Sequence, residues 1–246
     1  MSAVNPSTTP EQKPSAPSCY SGGDCEPEGR VVIELSTLAA SRLVTGRPPA
    51  ADKPYILGLF GFADRLRGIW DAARAGDPYA RWWLLKIEDA CRHSMQIMDE
   101  AHAAIEKTLG CCDAFQIDAA ANRSCKQIEL NFACPYAYQG ARLLKLLDAL
   151  VMALSTAIQI GECCAREAAT VQRGCERTVR HSFSVVNGFH SLGVTSQVIE
   201  VGGELAVDAA ALMGQIPSEI LSEQRWPTLL DRNSVDDPDR ACHGQV

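Results

Sequence analysis

The chain has 246 residues, of which 46% are hydrophobic and 22% charged, with a net charge of −7. These are ordinary globular proportions with ample material for a core, and the acidic balance excludes a strongly basic nucleic-acid binder while leaving room for a local basic face. The longest uncharged apolar run, residues 149–161, falls short of the ~20 residues a bilayer span needs, so no membrane association is expected.

Residues 1–29 are rich in Pro, Ser, Thr and Gly and read as a disordered tail, as do residues 227–246. Between them the expectation is one domain over residues 30–226. Residues 30–36 are β-branched and short, which predicts a strand. Residues 37–44 follow as a helix, with Ser36 or Thr37 as cap and Gly46 as terminator. Prolines 48, 49 and 54 make the next stretch a loop. Residues 55–75 repeat apolar side chains at helical spacing through Leu59, Phe62, Leu66, Ile69 and Ala73.

Asp77-Pro78 is the sharpest boundary, a capping carboxylate followed by a proline suited to the first helical position. The predicted helix runs over residues 78–109 with the stripe Leu84, Ile87, Cys91, Met95, Met98, His102, Ile105 and Leu109. Strands are expected at residues 115–118 and 127–132, the second alternating Ile128, Leu130 and Phe132 with polar neighbours. Three further helices complete the reading. Residues 138–160 carry the seam Leu143, Leu147, Leu150, Leu154, Ile158; residues 162–183 turn Ala165, Ala168, Cys175, Val179 and Phe183 inward; residues 195–213 pack Val198, Val201, Leu205, Ala209 and Leu212. A short last helix starts at Ile216-Pro217. The fold class is mainly α with a small β-sheet (α+β) around a helical core.

No residues are assigned to catalysis, to a metal or to a cofactor. The chain contains neither a phosphate-binding glycine loop nor an H-E-x-x-H motif. Cys175 and His181 stand six residues apart, on different faces of a helix, and do not form a nucleophile–base couple. Glu88, Asp89, Asp99 and Glu100 read as a solvated helix face. The eleven cysteines read as structural thiols, since the first 18 residues hold no apolar run of a signal peptide and the adjacent pairs 111–112 and 163–164 lack chelating spacing.

Several clusters resemble a known family when taken in order. They are Trp70 with residues 77–85 (DPYARWWLL), then residues 132–141 (FACPYAYQGA), then Gly188-Phe189 with residues 192–195 (LGVT), then residues 213–217 (MGQIP). Their order and spacing are similar to the AcaB-like proteins of integrating conjugative elements and large conjugative plasmids. The likeness covers residues 30–225. It implies a cytoplasmic bacterial transcriptional regulator, an activator of transfer genes, with a ribbon-helix-helix-like N-terminal segment. A homodimer would then place paired strands in the major groove of promoter DNA.

On that reading the DNA contacts are Arg30, Val32 and Ser36 on the strand with Arg42, Arg47 and Lys53 beside it. The strand reads equally as an ordinary half-buried one, because Glu34 shares its outer face. Two arrangements therefore stay open: pairing with a second copy, or pairing within the chain with residues 127–132. The alternative function is a non-catalytic accessory protein that acts through element-encoded protein partners.

Overall fold

The structure is a computed structural model, and it describes residues 31–49, 54–110 and 125–232. The expected strand at 115–118, Arg30 and Lys53 lie outside the described residues. Strand β1 (Val31–Leu35) pairs antiparallel with β4 (Lys126–Leu130), Ile33 facing Ile128. Ile33, Leu35, Ile128 and Leu130 turn inward while Val32, Glu34, Gln127 and Glu129 stay exposed. This is the period-two alternation of a sheet with one buried face.

Helix α1 (Leu38–Thr45) starts at Thr37, whose Oγ1 accepts from the Ala40 N–H at 3.4 Å. Buried Asp148 anchors this start: its carboxylate accepts from the N–H groups of Ser36 and Thr37 and from Thr37 Oγ1. The loop predicted after α1 is closed by a two-residue ladder, β2 (Gly46–Arg47) against β3 (Ile56–Leu57). Gly46 makes it possible. Its φ is +71°, and a Cβ there would stand 2.2 Å from the Ile56 carbonyl oxygen. Residues 55–58 are accordingly extended, and α2 (Leu59–Arg74) begins later than its apolar spacing suggests.

Asp77 caps α3 (Pro78–Gly110) by accepting from the N–H groups of Tyr79 and Ala80. Of the stripe, Leu84, Ile87, Cys91 and Met98 are buried, Met95 is partly buried, and the side chains from His102 onward are half-exposed, where His102 pairs with Glu106 at 3.4 Å. Helix α4 (Pro135–Gln159) starts at Pro135, three residues before the predicted start, because proline takes the first helical position. Leu143, Leu147, Leu150 and Leu154 are buried as expected, and Ile158 is exposed. α3 and α4 share the largest helix–helix contact. α5 (Ala165–Ser184) buries Ala168, Cys175, Val179 and Phe183, stacking Phe183 on Phe62 of α2 at 4.9 Å between centroids; Ala165 is exposed.

The single helix predicted over 195–213 is two, α6 (Ser196–Val201) and α7 (Glu204–Met213). Gly202 adopts a left-handed φ of +71° and ends the first. Val201, Leu205 and Leu212, expected inward, are exposed; Ala209 and Met213 hold α7 to the body. After α8 (Ser218–Leu221) the chain packs back on α3 and α4. The Thr228 N–H and hydroxyl donate to Glu88, the Leu229 N–H donates to Tyr136 Oη, and Leu230 is buried. Glu88 is thus a buried acceptor, not part of a solvated face, while Asp89 pairs with Arg92 and Arg225 on the surface. Of the described cysteines, Cys91, Cys134 and Cys175 are buried, whereas Cys125 and Cys164 are exposed. Cys91 and Cys134 lie in the core, and desolvation pushes them up to about 12 and about 11.

Candidate nucleic-acid interface

The C-terminal end of α1 and the β2–β3 ladder bring Arg42 and Arg47 to one wall of a cleft of about 560 Å³. The opposite wall is Gln172, Glu176 and Arg180 of α5. Arg47 donates from Nη2 to the Pro54 carbonyl at 3.0 Å, and its buried Nε has no partner among the described residues. A second cleft of about 310 Å³ shares Ile56 and Arg180 with the first and adds Arg177 and His181. A third shares Asn187 with the second and adds Arg65 of α2, which donates to Asn187 and lies over the Tyr55 ring. The three run into one trough lined by Arg42, Arg47, Arg65, Arg177 and Arg180 against a single carboxylate, Glu176.

That carboxylate is already engaged. It accepts from Gln172 Nε2 at 2.8 Å and stands 3.7 Å from Arg180 Nη2. The positive side of the trough continues along α5. Arg166, Arg173, Arg177 and Arg180 follow at steps of seven, four and three, which places all four on one helix face over roughly 21 Å. Arg166, Arg173 and Arg177 are exposed and have no carboxylate partner among the described residues. Unpaired guanidiniums at this spacing suit a polyanion, since each can contact a phosphate through a planar fork of donors.

The predicted contact residues divide. Arg42 and Arg47 come together in the trough. Ser36 does not join them: its N–H is taken by Asp148 and its hydroxyl lies 3.2 Å from Cys125 Sγ. Val32 is exposed on the outer face of β1, among Glu34, Gln127 and Glu129. Glu34 accepts there from Gln127 Nε2 at 2.7 Å. Sequence reasoning missed Arg65, Arg177, Arg180 and the rest of the α5 stripe. The helical spacing of the α5 arginines is the signal in the sequence that marks them. Cys175 and His181 stand apart, one buried and the other exposed. Among the described residues no cluster of His, Cys, Asp or Glu is arranged to hold a metal, and no helix is long and apolar enough to cross a membrane.

Comparison with known proteins agrees with this architecture. The crystal structure of selenomethionine-containing AcaB from uropathogenic E. coli superposes with a TM-score of 0.55 at 15% identity. The match covers 81% of this chain and 97% of that one, and at this identity it shows a shared fold. No curated protein matches the chain. The family described as transcriptional regulator AcaB matches residues 23–232, which span all of the described residues, so the chain belongs to the AcaB family of transcriptional regulators.

Proposed function

We propose that this protein binds DNA directly and regulates, as an activator, conjugative-transfer genes of the mobile element that carries it. The observation that carries the reading is the arginine stripe of α5 continuing into the trough of Arg42, Arg47 and Arg65. The strand face around Val32 presents the Glu34 carboxylate, which repels phosphate. The arginines of α5 act as phosphate contacts that fix the protein on the duplex. Base reading falls to the guanidiniums of the trough, whose forks match guanine edges.

The test is fluorescence anisotropy of transfer-gene promoter duplexes over a series of salt concentrations. Wild-type affinity should fall steeply with salt. Arg173→Ala with Arg177→Ala should weaken binding on every sequence and reduce the salt slope by about one per residue. Both side chains are exposed, so melting should not change. Undiminished DNA binding by the double variant, or no retention of any duplex by the wild type at low salt, would refute the reading.

A further inference from the structure

The surface of α6 and α7 is unlike the rest of the molecule. Val201, Val207, Leu212 and Leu205 are 84%, 63%, 57% and 49% exposed. On α7, Leu205, Asp208 and Leu212 follow at steps of three and four, which makes one stripe along the helix. Glu204 stands one turn before Asp208, and Glu200 lies near the end of α6. No Lys or Arg occurs between His190 and Arg225, while this stretch holds Glu200, Glu204, Asp208, Glu219 and Glu223. Glu219 and Glu223 pair with Arg225 and Arg81; Glu200, Glu204 and Asp208 have no cationic partner among the described residues. Leu205, Asp208 and Leu212 thus stay exposed beside the side of α7 that Ala209 and Met213 bury, next to acids without a cationic partner among the described residues, while Val207 projects from a different side of the helix.

We infer that this face docks an amphipathic helix of a partner protein whose apolar stripe is flanked by Lys and Arg. Charge sets the sign of the partner, because its cations would meet Glu200, Glu204 and Asp208. Size points the same way. Leu205 and Leu212 together expose on the order of 200 Å², about a quarter of what each partner of a stable dimer buries, which suits a single helix laid along another. A second copy is a poor occupant, since its own Glu204 and Asp208 would face the same residues. The proposal does not depend on DNA binding, which uses a different surface of opposite charge.

The test uses two labelled helical peptides of about four turns. They share one leucine stripe and carry either Lys or Glu at the flanking positions. Anisotropy against the full chain should show saturable binding of the Leu/Lys peptide and none of the Leu/Glu peptide. Leu205→Ser with Leu212→Ser should weaken that binding about tenfold or more, and Asp208→Lys should weaken it as well, while promoter-DNA binding and melting stay as in the wild type. Equal binding of the two peptides, or undiminished binding by the variants, would overturn the proposal. So would light scattering that shows a dimer converted to monomers by the leucine substitutions, which would make the second copy the occupant.

Discussion

Removing the Glu88 carboxylate would strand the Thr228 N–H and the Tyr136 hydroxyl in a buried site. Both now donate to it, and Tyr136 Oη in turn accepts from the Leu229 N–H. Each buried donor left without an acceptor costs about 1–3 kcal/mol. Glu88→Ala is therefore expected to lower stability by about 3 kcal/mol in denaturant unfolding and to open residues 225–232 to proteolysis. An unchanged unfolding midpoint would mean that the segment is held by Trp226 and Leu230 alone. The core thiols give a second test at this scale. Cys91 and Cys134 have thiols pushed up by burial to about 12 and about 11, against an ordinary value of about 8.5. From about pH 8.5 upward the unfolded chain releases these protons and the folded chain keeps them. Stability is therefore fully present below that pH and is lost as pH rises toward 11 and 12, by about 1.4 kcal/mol per pH unit for each thiol. Denaturant midpoints between pH 8 and 11 should show the fall, and Cys134→Ala should make it shallower.

At the scale of elements, legibility followed the strength of each pattern. α3 and α4 repeat leucines and isoleucines at helical spacing over many turns, and both were readable with their mutual packing. Leu147 is fully buried in the α4 seam. Leu147→Asp places an unpaired charge there and should cost several kcal/mol, seen as a large drop in melting temperature; wild-type-like melting would sink this assignment of the α4 face. Where the pattern failed, a local feature had outweighed periodicity. Gly46 admits the β2–β3 ladder and delays α2, and Gly202 splits a continuous apolar repeat into two helices. Apolar spacing predicts Val201, Leu205 and Leu212 as core, because periodicity reports that a helix is two-sided and not which side the body occupies. Glu88 is the converse, a carboxylate in a polar position of α3 that becomes buried when the distant Thr228 arrives. No local window contains that contact.

At the scale of the whole molecule the same limit governs the candidate site. Arg42 and Arg47 were readable beside the N-terminal strand, but Arg177 and Arg180 join them only through the packing of α5 against the β2–β3 ladder.

The two arrangements open to β1 can be separated by experiment. Lys145 Nζ donates to the Glu34 carbonyl at 2.8 Å and Asp148 accepts from the Ser36 N–H, so the backbone groups of 34 and 36 point away from β4. In an antiparallel ladder successive residues alternate in direction. Val32 therefore shares the free edge, and Ile33 directs its N–H and C=O at Ile128. Lys145 and Asp148 lie three residues apart on α4 and cover the end of that edge at Glu34 and Ser36, one way an edge is kept from pairing with another chain. Ile33→Pro deletes a ladder donor inside the chain, and unfolding is expected. Val32→Pro removes only an N–H at the free edge, so wild-type-like melting and undiminished promoter binding are expected if the arginine surface holds the DNA. A folded Val32→Pro protein that is monomeric and no longer binds DNA, against a wild-type dimer that does, would instead make a two-copy ribbon of β1 the DNA-reading element and remove the support for the α5 stripe.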